Sequence, residues 1–153
     1  GPAAISALGL NTGLVHMEWF QRPDGTVAVS EAAVRPPGAQ FTTLISYAHD
    51  FDLYAAWARL MVLDRFDPPE RRHSVGAVYL RGQGSGQVVA IEGLDRAQAE
   101  VGGLVMEVRL PDEGASPSPH YEGDGYVVVR ADTTEQVERA VDAILANVKV
   151  VLA

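Results

Sequence analysis

The chain has 153 residues, of which 47% are hydrophobic and 21% charged, enough to bury a core and too apolar for a disordered segment. A formal net charge of −8, a pI near 4.8 and a single lysine, Lys149, exclude a surface that neutralises phosphate backbones, so no nucleic acid and no anionic membrane is expected as a partner. The lack of cysteine excludes disulfides and thiolate metal sites, the four histidines (16, 49, 73, 120) show no metal-ligand spacing, and neither a membrane-length apolar run nor a secretory leader is present, so a cytoplasmic location is expected.

Gly1-Pro2 resembles the pair left after proteolytic removal of a purification tag, and Pro2–Leu8 reads as a helix end closed by Gly9. The chain therefore reads as starting inside a larger domain. Gly13–Gly38 follows as a β-hairpin: an apolar run over Leu14–Phe20, a turn at Pro23-Asp24-Gly25 and a second run over Thr26–Val34. Two registers are open. A two-residue Asp24-Gly25 loop pairs residues whose numbers sum to 49 and sets Glu18 opposite Glu31. A wider Pro-Asp-Gly turn with Gly25 in a bulge slips the register by one, separates the glutamates, and needs a further bulge near Glu31 to reunite them.

Like charges facing each other across a hairpin repel unless a cation lies between them. Arg35 follows Glu31 by four residues, ahead of the stiff exit Pro36-Pro37-Gly38. Paired carboxylates suit Mg²⁺, which takes few side-chain ligands and completes its shell with water and substrate phosphates, and a guanidinium suits phosphate or carboxylate oxygens. An ordinary surface ion pair is the competing reading, and spacing alone leaves both open. His16, two residues before Glu18 on the same strand face, reads as a packed strand histidine, with support of the Glu18 site as the alternative.

The stretch HMEWF…DGTVAVSEAAVRPPG resembles the metal-binding end of the ATP-grasp fold, the superfamily of ATP-dependent carboxylate–amine ligases that includes biotin carboxylase and the amino-acid ligases. Its pattern is a glutamate on one strand, a turn, then Glu-x-Asn-x-Arg on the next; Glu18, Glu31 and Arg35 match, and Ala33 stands at the asparagine position. The resemblance implies that Glu18 and Glu31 hold Mg²⁺ (Mn²⁺ as a substitute) bridging the phosphates of ATP, and that Arg35 acts catalytically on the acceptor carboxylate and the developing phosphoryl charge. It implies an ATP-grasp ligase forming an acyl phosphate, acting on a small carboxylate and amine. This chain would be its C-terminal fragment, inactive alone, with the missing N-terminal domains as partners and homodimerisation left open. A non-catalytic binding module derived from such an enzyme is the alternative.

Beyond the hairpin, Phe41–Tyr47 predicts a short helix, and Asp50 is the expected N-cap of a longer one to about Asp64, with Leu53, Trp57, Leu60 and Met61 as an apolar stripe packed under the hairpin and Trp57 as core. SYAHDFDLYAAWARL continues the same resemblance. Asp67-Pro68-Pro69 ends the helix and Glu70-Arg71-Arg72 marks a lobe boundary. Ser74–Leu80 and Gln87–Glu92 read as strands joined by a flexible glycine-rich hairpin loop over 82–86, which lacks the Lys-Ser/Thr of a phosphate loop. Leu94–Val101 predicts a helix, Leu104–Leu110 a strand, Pro111–Asp124 a surface loop and Tyr126–Ala131 a strand. Asp132 and Thr133 then start a helix whose Val137, Ala140, Val141, Ile144 and Leu145 share a face, before a last strand at Val148–Leu152. The expected fold is α+β: a terminal part of an ATP-grasp core over 1–66 and, over 67–153, a small mixed sheet with two helices resembling the subdomain that follows that core.

Overall fold

In the computed structural model, which describes residues 1–153, five helices and seven strands run in the order α1 (Pro2–Ala7), β1 (His16–Gln21), β2 (Val27–Ala33), α2 (Phe41–His49), α3 (Leu53–Leu63), β3 (Ser74–Leu80), β4 (Val88–Glu92), α4 (Leu94–Val101), β5 (Val105–Arg109), β6 (Gly125–Ala131), α5 (Thr134–Asn147) and β7 (Lys149–Leu152). The α+β class is the one expected. Contacts divide the chain into two units, Gly1–Ser46 with Phe51–Glu70, and Tyr47–Asp50 with Arg71–Ala153.

In the first unit β1 and β2 form a two-stranded antiparallel sheet. The chain leaves it through two consecutive non-glycine residues in the left-handed region, Ala39 (φ 53°) and Gln40 (φ 63°), before α2 begins. Thr42, 1% exposed, donates to the Pro37 carbonyl at 3.1 Å and so holds this exit against the helix. Ser46 Oγ donates to Thr42 O at 2.8 Å and accepts from Leu53 N at 3.1 Å. Asp52 caps α3, accepting from Ala55 N at 3.0 Å; the expected cap, Asp50, instead sits at φ 53° between the helices. The reason is spacing, since Asp52 is the residue whose carboxylate reaches the N–H three positions on. The stripe on α3 is also shallower than expected: Leu53 is buried, Trp57 and Leu60 are partly buried, and Met61 lies exposed with Tyr54, Val62 and Leu63.

The second unit holds two antiparallel sheets, β3-β6-β5 and β4-β7, with α4 and α5. β6 is the central strand: Val127, Val129 and Ala131 enter a core completed by Val78, Leu80, Val88, Val137, Ala140, Ile144 and Val150. Thr133 and Gln136 form a capping box that starts α5. Its buried face is Val137, Ala140, Ala143 and Ile144, so Ala143 takes the inward place expected for Leu145, which is 58% exposed. β3 and β4 do not pair, so the glycine-rich 82–86 segment is a passage between sheets and no hairpin. Gly86, at φ 112°, is needed there because a Cβ would fall 2.3 Å from Ala153 O, while Gln87 and Ala153 exchange backbone hydrogen bonds of 3.0 Å. The 111–124 loop is anchored: Asp124 accepts from Gly82 N at 2.8 Å and Ser118 N at 2.6 Å, and Arg81 donates to the carbonyls of Ser118 and His120. No helix is long and apolar enough to cross a membrane.

The two faces of α5 set a contrast in cost. Ile144→Ala, at a side chain 1% exposed, is expected to lose about 2–5 kcal/mol, and Leu145→Ala to stay within about 0.5 kcal/mol. Urea unfolding of both variants measures the difference; equal losses would overturn the inward placement of Ala143.

Candidate functional site

The wider of the two turns forms at the hairpin tip. Gly25 (φ 81°) donates to Arg22 O at 2.9 Å, Arg22 N donates to Thr26 O at 2.8 Å, and Asp24 Oδ1 accepts from Thr26 N at 2.9 Å and Thr26 Oγ1 at 2.7 Å. Those bonds from Thr26 hold the Asp24 carboxyl below its usual range. The tip pairs accordingly are Gln21 with Val27, Phe20 with Ala28 and Trp19 with Val29. A bulge then leaves Ser30 without a partner, and beyond it Glu18 faces Glu31, Met17 faces Ala32 and His16 faces Ala33.

The paired glutamates therefore share a face with His16 and Ala33, while Met17 and Ala32 point to the other side. Arg35 Nη2 lies 3.9 Å from Glu31 Oε1, both side chains 52% exposed, and its Nη1 donates to Pro36 O at 3.0 Å. Arg35 thus approaches Glu31; no contact with Glu18 is formed. An exposed pair at that distance contributes about 0–1 kcal/mol. His16 Nε2 lies 3.8 Å from Glu18 Oε1.

No group of three or more His, Cys, Asp or Glu side chains has metal-holding geometry. Two exposed carboxylates are nevertheless a hard oxygen donor set, and a cation that keeps most of its water or takes phosphate oxygens fits them. The residues present suit Mg²⁺ in that limited sense.

A second polar cluster lies in the other unit, on the face of β6 opposite its core. Glu107 accepts from Tyr126 Oη at 2.5 Å and from Tyr47 Oη at 3.4 Å. Asp50 Oδ1 accepts from Arg130 Nη1 at 2.6 Å, Asp50 Oδ2 lies 3.0 Å from His73 Nε2, and His73 Nδ1 lies 3.9 Å from Asp132 Oδ1. The His73 hydrogen bond, aided by Arg130, keeps Asp50 below the usual carboxylate range. Spacing could not find this cluster, because residues so far apart in the chain are united by the β3-β6-β5 ladders and by the Tyr47–Asp50 segment bonded beside them. Its one sign in the sequence is Tyr126 and Arg130 at alternate positions of a valine-rich strand.

No protein-family profile and no curated protein matches the chain. Among solved structures it is similar to the L-amino acid ligase from Bacillus licheniformis (21% identity, TM-score 0.78, 98% of this chain and 38% of that one). It is similar also to N5-carboxyaminoimidazole ribonucleotide synthetase from Thermotoga maritima (22%, 0.68, 99% and 40%) and phosphoribosylglycinamide synthetase from Anaerococcus prevotii (18%, 0.72, 98% and 39%). The chain spans about two fifths of the length of each, and its fold is that of the C-terminal part of ATP-grasp enzymes.

The Glu107 cluster makes a pH-dependent contribution whose sign is fixed. The hydrogen bond to Glu107, with burial and the carboxylate charge, pushes Tyr126 up to about 12, above the ordinary tyrosine value near 10. A raised folded value stabilises fully below about pH 10 and is lost as pH climbs towards 12. Glu107→Gln is expected to return Tyr126 towards the ordinary range, read as the difference in phenolate absorbance from Tyr126→Phe. An unchanged titration would sink the assignment.

Proposed function

We propose that the chain supplies the C-terminal, phosphate-facing part of an ATP-dependent carboxylate–amine ligase, related in scheme to biotin carboxylase and the amino-acid ligases. The observation that carries this reading is the cross-strand pairing of Glu18 with Glu31, regained through the Ser30 bulge, with Arg35 beside Glu31, on a chain with an ATP-grasp fold. A hairpin that reverses a one-residue slip to set two like charges opposite each other calls for a cation between them.

In such a reaction a carboxylate or bicarbonate oxygen bonds to the γ-phosphorus of ATP while the bond from that phosphorus to its bridging oxygen breaks. ADP leaves and an acyl phosphate remains. The nitrogen lone pair of an amine then bonds to the acyl carbon, phosphate departs with the electrons of the broken C–O bond, and the nitrogen gives up a proton. Glu18 and Glu31 would hold Mg²⁺, which supplies charge neutralisation at the phosphate oxygens. Arg35 would hold the acceptor carboxylate and meet the charge that develops on the transferring phosphoryl group. Positioning and charge neutralisation carry most of such a transfer, so no further catalytic side chain is required of this chain.

In enzymes of this architecture ATP lies between two subdomains, of which this chain resembles part. The 153-residue chain alone is therefore expected to release no ADP above background with any carboxylate–amine mixture, and coupled ADP assay decides this. In the longer protein, Glu31→Gln is expected to lower kcat/KM by two orders of magnitude or more, as loss of transition-state charge stabilisation does. The same change should leave this chain as stable as before, or slightly more so, because a repulsion is removed. Unaltered turnover would remove the metal assignment.

A further inference from the structure

His16 Nδ1 is the one side-chain nitrogen or oxygen of the chain that is buried with no hydrogen-bond partner. Its side chain, 23% exposed, lies on the face of the paired glutamates, and the cross-strand neighbour there, Ala33, offers only a methyl group. The other ring nitrogen, Nε2, faces Glu18 Oε1 at 3.8 Å, the distance of an ion pair and longer than a hydrogen bond.

A neutral imidazole carries one proton, and the two placements differ in cost. On Nδ1 the proton would make a buried donor without an acceptor and turn the Nε2 lone pair towards a carboxylate. On Nε2 it faces that carboxylate, and only a lone pair is left unpaired. An unmet buried donor with a lone pair turned on a carboxylate costs more than one unmet lone pair, so the second placement wins.

We propose that His16 is a positioning residue of the glutamate pair: fixed in the Nε2–H tautomer, it steers Glu18 Oε1 and leaves Oε2 for a bound cation. The inference rests on the metal reading of the hairpin. Groups that orient a metal-binding carboxylate typically change metal affinity about 10–100-fold without touching the metal.

Nitrogen-15 correlation spectra of the whole chain report the tautomer, and Mn²⁺ binding followed by water-proton relaxation reports the carboxylates. The expected result is an Nε2–H tautomer whose nitrogen shifts move in Glu18→Gln. Mn²⁺ affinity should fall about ten-fold in His16→Leu and be largely kept in His16→Gln, which retains an N–H donor. An Nδ1–H tautomer overturns the proposal, as does an unaffected His16→Leu beside a weakened Glu18→Gln. If Glu18→Gln and Glu31→Gln both bind Mn²⁺ like the unaltered chain, the metal reading fails instead. His16 is then judged by whether Glu18→Gln moves its nitrogen shifts; unmoved shifts overturn its tie to Glu18.

Discussion

A strand shows its side chains to alternate faces, so one residue too many on one side of a hairpin reverses every contact beyond it. That rule governs the candidate site. The Pro23-Asp24-Gly25 turn takes one residue more than the tightest hairpin and would by itself send Glu18 and Glu31 to opposite faces. Ser30, left unpaired, restores the count. That single compensation brings Glu31, with Arg35 beside it, onto the face that Glu18 shares with His16.

In the second unit the equivalent constraint is a strand with no free face. Val127 and Val129 enter the aliphatic core, and Val128, between them on the opposite side, is also fully buried. Polar groups flank Val128 on that side: Tyr126 with Glu107 and Tyr47, and Arg130 with Asp50 and His73. The segment Tyr47–Asp50 belongs with this unit because its tyrosine hydroxyl, its aspartate and the Ala48 carbonyl, which accepts from Arg72 N and His73 N, are all bonded there. The left-handed turn at Asp50 directs its carboxylate to both Arg130 and His73.

Local chemistry was legible in the sequence wherever a few neighbouring residues decide the outcome. The capping box of α5, α4 over Leu94–Val101, β3 over Ser74–Leu80 and the Pro-Asp-Gly turn fall into this class. The α+β class and the resemblance carried by Glu18, Glu31 and Arg35 were likewise open to reading. What long-range packing decides was not. Helical periodicity could not choose between Ala143 and Leu145, which both lie near the edge of one stripe. The glycine-rich segment 82–86 looks like a hairpin loop until β4 pairs with β7 in place of β3. Asp50 and Asp52 are equally good caps in isolation, and the His73 and Arg130 that claim Asp50 arrive from much later in the chain. The register of β1 and β2 was reducible to two options but no further, since a bulge at Ser30 has no signature of its own.

The exit from the hairpin shows how stability has been weighed against placement. Ala39 and Gln40 occupy left-handed conformations that cost residues with a side chain roughly 1 kcal/mol or more each, four and five positions after Arg35. Glycine would relieve that strain. It would also loosen the link between Pro37, which Thr42 holds, and the start of α2. Ala39→Gly or Gln40→Gly would therefore trade a stiff exit for relief of backbone strain, a gain in stability made at the expense of order in the link to α2.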